Sequence, residues 1–195
     1  MRLLELFKGT GSVGRVANTK GYEVISLDID PQFNPDICVD IMDFNYKKYP
    51  VGYFHTIWAS PECKIFSSAQ CFHIGPNRKY KNSEELDIER EKHHKFVNRV
   101  SEIIDYLKPK YYYIENPMNS HIKKADGLKS KPSIVVDYCR FGCDYKKPTR
   151  IWTNKTSLKD TRCLCKKHQR KVVKNMTHLL LEKYSIPPVL LEYIL

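Results

Sequence analysis

The chain has 195 residues, 42% hydrophobic and 12% aromatic, with seven cysteines and a formal net charge of +11. Its length suits a single domain able to bury a full core, and its apolar runs are too short to cross a bilayer. The opening stretch, Met1 to Phe7, contains Glu5 and reads as a strand, not a secretory signal. A soluble intracellular protein is therefore expected, with free thiols and a polyanionic partner, most simply nucleic acid.

Strand and helix signals alternate along the chain. Leu3 to Phe7 reads as a first strand, Ser12 to Thr19 as a short helix, and Glu23 to Leu27 as a second strand ended by Asp28. A third strand is expected at Asp36 to Val39 and a fourth at Thr56 to Ala59, with a loop of mixed composition over residues 64–83. From Glu84 to Leu107, Phe96, Val97, Val100, Ile103, Ile104 and Leu107 form one helical stripe, and Pro109 stops that helix. Its polar face carries His93-His94, read as a surface pair without a role. Strands at Tyr111 to Ile114, Ser133 to Tyr138 and Ile151 to Thr153 complete the set. This alternation predicts an α/β fold with a mostly parallel seven-stranded sheet and helices on both faces.

Three strand ends carry chemistry. Gly9-Thr10-Gly11-Ser12-Val13-Gly14 links a strand to a helix. Such a loop lets backbone approach a ligand closely at a helix N-terminus. Asp28 is placed to accept hydrogen bonds from ribose hydroxyls. The pattern suits a dinucleotide or S-adenosylmethionine equally; Asp40-Ile41 is a candidate for the adenine end. Ser60-Pro61-Glu62-Cys63 puts a thiol where the sheet opens to solvent, the usual ligand side of such sheets. Glu115-Asn116-Pro117 ends the fifth strand and offers a carboxyl to pair with Cys63.

In order, these segments resemble the DNA cytosine carbon-5 methyltransferases. Glu5 to Ser12 is similar to that family's first cofactor motif, Asp28-Ile29-Asp30-Pro31 to its ribose motif, and Asp40-Ile41 to its adenine-side motif. Ser60 to Ser67 resembles the Pro-Pro-Cys-Gln catalytic loop, and Pro109 to Asn116 the Glu-Asn-Val motif with its lead-in strand. Ile186-Pro187-Pro188 resembles the last motif, which returns to the cofactor site. The resemblance implies a Rossmann-like fold using S-adenosyl-L-methionine, with Phe7, Gly9, Thr10, Gly11, Ser12, Asp28, Ile29, Asp40, Ile41 and Pro61 at the cofactor. It implies Cys63 as nucleophile, Glu115 as acid and Arg150 as supporting cation. Ser60, Asn116, Lys147, Lys166, Lys167 and Arg170 are expected at the substrate, most simply double-stranded DNA.

The departures are equally specific. Glu62 stands where the family has proline, and a carboxylate pointing inward would disfavour the thiolate. The Gln-x-Arg-x-Arg motif is reduced to Lys147 and Arg150. A basic segment, residues 155–176, replaces the usual large target-recognition region within one domain spanning 1–195. Between Lys155 and Lys174 it holds eight cations against Asp160 alone, a pattern for phosphate contact. Recognition of little sequence is expected, by a monomer or with a partner protein. Cys139, Cys143, Cys163, Cys165 and His168 offer a zinc option with irregular spacing. Three rival readings stand beside this one: a nicotinamide-dependent oxidoreductase, an inactive methyltransferase fold that binds nucleic acid, and the same chemistry on RNA.

Overall fold

The computed structural model describes residues 1–164 and 185–195. The strands are β1 (Arg2–Leu6), β2 (Glu23–Asp28), β3 (Ile37–Cys38), β4 (Thr56–Ala59), β5 (Tyr111–Pro117), β6 (Ser133–Asp137) and β7 (Pro148–Thr153). The helices are α1 (Ser12–Thr19), α2 (Ser83–Leu107), α3 (Asp126–Lys129) and α4 (Pro188–Ile194). The strands form one sheet in the order β3-β2-β1-β4-β5-β7-β6. Pairing is parallel from β3 through β5, whereas β7 runs antiparallel to both β5 and β6. The fold is the Rossmann-like α/β class expected from the sequence.

Side-chain alternation along the strands divides the core between the two faces. Leu4, Leu6, Ile57, Ala59, Tyr112 and Ile114 pack against Val97, Val100, Ile103, Ile104 and Leu107 of α2. Leu3, Trp58, Tyr113 and Ile151 pack against Val13, Val16 and Ala17 of α1, and against Leu190, Leu191 and Ile194 of α4. Each fully buried aliphatic side chain contributes roughly 1.5–3 kcal/mol, so α2 is held by its stripe. The Asn82 side chain caps its start by accepting the Glu85 N–H at 2.9 Å. Its end is Lys108, at φ 47, directly before Pro109.

The chain runs outward from β1 through β2 to β3, then returns to place β4 on the other side of β1. The loops after β1 and β4 therefore diverge, opening a crevice at the carboxyl ends of the strands. The glycine loop and Cys63 leave from those two strands.

Several boundaries differ from the sequence reading. β5 continues to Pro117 because Pro117, Asn116 and Glu115 pair with Thr149, Arg150 and Ile151 of β7. The seventh strand accordingly begins at Pro148. β3 shrinks to two residues at the sheet edge. Ser68–His73 forms a 3-10 helix within the expected loop, and α3 and α4 were not anticipated. Among the described residues no helix is long and apolar enough to cross a membrane.

Candidate active site

The glycine loop is held from three sides. Gly9 N–H donates to Asp28 Oδ2 at 2.9 Å, and Asp30 N–H donates to Asp28 Oδ1 at 3.0 Å. The Asp28 carboxylate thus ties the loop to the end of β2 and keeps little exposed surface. Gly11 caps α1 at φ 67, a left-handed conformation that a side chain would strain. Gly14 N–H donates to Glu5 Oε2 at 3.1 Å, and a Cβ at Gly14 would sit 2.7 Å from that oxygen. Close approach therefore requires glycine there. The C-terminal segment returns to this loop, as its motif implied. Ile186 N–H donates to Ser12 Oγ at 3.2 Å, and Ser185 Oγ donates to Thr10 Oγ1 at 3.1 Å. The hydroxyls of Ser12 and Thr10 thus serve the fold locally.

Beside the loop lies a cavity of about 290 Å³. Phe7, Ile29, Asp40, Ile41 and Pro61 line it, so half of the expected cofactor residues meet there. Phe66, Phe96 and His93 also line it, and the sequence reading assigned none of them to a site. Phe7 reaches the wall by leaving β1 at φ 60, an uncommon conformation for a residue other than glycine. Asp40 closes its own turn by accepting Met42 N–H at 2.8 Å.

The second half of the site is built on the β4–β5 pair. Ala59, the last residue of β4, is in register with Ile114, so Cys63 leaves β4 next to the part of β5 that carries Glu115. Asn116, fully buried, donates through Nδ2 to Pro61 O at 2.9 Å and fixes the chain two residues before Cys63. Ser60 Oγ accepts Trp58 Nε1–H at 2.9 Å, which engages its hydroxyl within the fold. Glu115 is buried, and its Oε1 accepts the Tyr138 hydroxyl at 3.1 Å. Burial pushes the Cys63 thiol above its ordinary value; Glu115 adds to the rise and Lys147 opposes it. Glu62, whose carboxylate would disfavour the thiolate if it pointed inward, is exposed and weighs least among these influences. Lys147 Nζ lies 4.7 Å over the Tyr138 ring, on the Cys63 side of the sheet.

The structure does not bring Arg150 into this group. In register with Asn116, it stands on the face opposite Glu115, and its Nη1 donates to Ser133 Oγ at 2.8 Å. Strand alternation, invisible while the seventh strand was read as starting at Ile151, decides that orientation.

Helix α2 clamps the segment after Cys63. Arg90, buried, donates to Ile65 O at 3.3 Å and Ser67 O at 3.1 Å. His94 stacks on Phe66 with centroids 5.2 Å apart and 6° between planes. His94 is buried and His93 lines the cavity, so the pair is not a surface feature. The segment following Cys63 covers that helix face.

No protein-family model matches the chain. A probable DNA (cytosine-5)-methyltransferase of Frog virus 3 (isolate Goorha) is 36% identical over 158 residues, 79% of this chain and 71% of that protein. The chain belongs to the DNA (cytosine-5)-methyltransferase family. Solved structures share the fold at lower identity. A putative DNA modification methyltransferase encoded within an E. coli prophage aligns over 78% of this chain with a TM-score of 0.54 at 15% identity. The S. pombe Dnmt2 methyltransferase aligns over 78% with a TM-score of 0.51 at 17% identity. The Entamoeba histolytica methyltransferase EhMeth aligns over 78% with a TM-score of 0.53 at 16% identity. The chain covers only 46%, 48% and 52% of those three chains.

The methyl donor of this family is S-adenosylmethionine, and the residues present fit it. Apolar and aromatic walls suit a purine ring, Asp40 in the wall offers an acceptor for its polar edge, and Asp28, which holds the glycine loop, offers one for ribose hydroxyls. Each Asp28 oxygen accepts one backbone N–H and retains a second lone pair. Removing the Asn116 anchor tests the link between cofactor wall and nucleophile. Asn116→Ala is expected to weaken S-adenosylmethionine binding about 10-fold by calorimetry, because Pro61 loses its fixed position.

The basic segment is only partly described. Lys155 Nζ donates to Ile194 O at 2.6 Å, and Arg162 Nε pairs with the fully buried Asp137 at 3.2 Å. Those two cations serve internal partners instead of phosphates, because a buried carboxylate and a helix end each need compensation. Lys166, Lys167 and Arg170 lie outside the described residues. Of the zinc candidates, Cys139 and Cys163 touch, and burial together with that contact pushes the Cys139 thiol up to about 11. Cys143 turns to Tyr145 instead. Cys165 and His168 lie outside the described residues, and among those described no group of three metal-ligating side chains forms.

Proposed function

We propose that this methyltransferase transfers a methyl group to carbon 5 of cytosine in double-stranded DNA through a covalent adduct on Cys63. The observation that supports this reading is that Cys63, which follows β4 and the cavity-lining Pro61 and Glu62, feels the charge of Glu115 on the neighbouring β5. Carbon 5 of cytosine is a poor nucleophile. Deprotonated Cys63 adds to carbon 6, breaking the 5,6 double bond and making carbon 5 electron-rich. Glu115 donates a hydrogen bond or proton to ring nitrogen 3, which receives the charge displaced by attack. S-adenosylmethionine, when bound, supplies an electrophilic methyl group on a sulfonium. Once carbon 5 carries the methyl, loss of its proton restores the double bond and expels the Cys63 thiolate. The target base must leave a duplex stack to reach this site.

The substrate reading rests on the net charge of +11 and on the family. On this reading the chain acts as a monomer with short sequence preference, and a partner protein extends recognition where more is needed. The test is nucleoside mass spectrometry of duplex DNA incubated with the protein and S-adenosylmethionine, with RNA in parallel. 5-Methylcytosine in DNA is the expected result. Product only in RNA would transfer the mechanism to that substrate. No product, with cofactor bound, would replace the enzyme reading with that of a binding module.

A further inference from the structure

Tyr138 was not singled out by the sequence, yet it touches Glu115 and Lys147, the two charges with the largest effect on Cys63. It follows β6, opens a short 3-10 turn, and is fully buried. Its hydroxyl donates to Glu115 Oε1 at 3.1 Å. The opposite strand brings Lys147 to its ring, with Nζ 4.7 Å from the centroid, and Tyr138 N–H donates to Lys147 O at 3.3 Å. Glu115 and Lys147 act on Cys63 in opposite directions.

We infer that Tyr138 is a positioning residue: its hydroxyl orients the Glu115 carboxyl while its ring face holds the Lys147 ammonium toward Cys63. The inference rests on the catalytic assignment of Cys63 and Glu115 proposed above. A tyrosine suits this task because it combines a neutral donor with a π face. With Oε1 tied to the hydroxyl, Oε2 is the oxygen left to meet ring nitrogen 3. The ammonium, held on the other side, favours the thiolate that must form. Burial raises the Tyr138 hydroxyl well above its ordinary value, so it remains a donor throughout the working range.

Two variants separate the two functions. Tyr138→Phe keeps the ring and loses the donor. It is expected to lower kcat about 10–100-fold and to leave the S-adenosylmethionine Kd within about twofold. Tyr138→Met removes the ring with an adaptable side chain. It is expected to slow alkylation of Cys63 by iodoacetamide at pH 8 about 3–10-fold, read at the Cys63 peptide by mass spectrometry. Lys147→Gln should slow that alkylation equally without disturbing the core, while Tyr138→Phe should leave it within about twofold.

An unchanged kcat in Tyr138→Phe would overturn the hydroxyl's role, and so would a loss confined to S-adenosylmethionine binding. Wild-type alkylation rates in Lys147→Gln, or in folded Tyr138→Met, would overturn the ring's role. The alkylation series needs no turnover. Absence of 5-methylcytosine from wild-type reactions would therefore count against the catalytic reading alone, and the series would still decide whether Tyr138 organises the charges around the thiol.

Discussion

Cys63→Ala is expected to reduce methyl transfer below about 10⁻⁴ of wild type, with S-adenosylmethionine affinity preserved within about twofold. The two effects separate because the side chains that line the cavity next to it are Pro61 and Glu62, not Cys63. A half-buried thiol exchanged for a methyl group leaves Asn116 still holding Pro61 O, so the wall stays in place. Loss of cofactor binding in this variant would make Cys63 a structural residue and sink the nucleophile assignment. The wild-type protein should also show a rate that climbs with pH. The thiol is raised above its ordinary 9.0 by burial first and Glu115 second. Thiolate therefore accumulates only as pH approaches and passes that value, and Cys63 alkylation should accelerate steadily from pH 7 to 9. A flat alkylation profile over that range would show that the site stabilises the thiolate at rest.

Glu5→Gln is expected to stabilise the protein at pH 8 and to leave it nearly unchanged at pH 4.5. Glu5 lies on β1 beneath the glycine loop, 2% exposed. Burial pushes its carboxyl from 4.5 up to about 7, against the hydrogen bond from Gly14 N–H that favours the charged form. The folded chain thus prefers the protonated acid. Its contribution is present in full below 4.5 and is lost as pH rises from there through about 7. A rise from 4.5 to about 7 corresponds to about 3 kcal/mol. Glutamine keeps an oxygen for Gly14 N–H and carries no charge to desolvate. For a chain of this size the melting temperature at pH 8 should rise by roughly 6–12 °C relative to wild type. Equal melting temperatures for the two proteins at pH 8 would show that Glu5 ionises in the fold without cost. The buried histidines do not confuse the comparison, since they are common to both proteins.

The two results bear on different halves of one crevice. Glu5 supports the loop after β1, and Cys63 follows β4, its neighbour in the sheet. A fault under the glycine loop should lower cofactor affinity and stability together, whereas a fault at the thiol should spare both. Measuring affinity, stability and turnover on the same variants therefore locates each defect within the site.

Much of this was legible in the sequence because the signals are local. The glycine run after a short apolar strand, the thiol after Thr56–Ala59 and the carboxyl after Tyr111 all follow from period, breakers and residue type. So does α2, whose stripe and stop at Pro109 need only neighbours within a few turns. The order of those motifs along the chain was enough to indicate the family. The tertiary structure alone decided how distant segments meet. Insertion of β7 between β5 and β6 extended β5 through Glu115, turned Arg150 to the face opposite that carboxyl, and brought Lys147 over Tyr138. Packing of the segment after Cys63 onto α2 buried His94 and put His93 on the cavity wall. The fully buried Asp137 paired with Arg162 across 25 residues of sequence. None of these has a local signature. Side-chain alternation states that a strand has two faces, but only its partners and register determine which face meets the substrate.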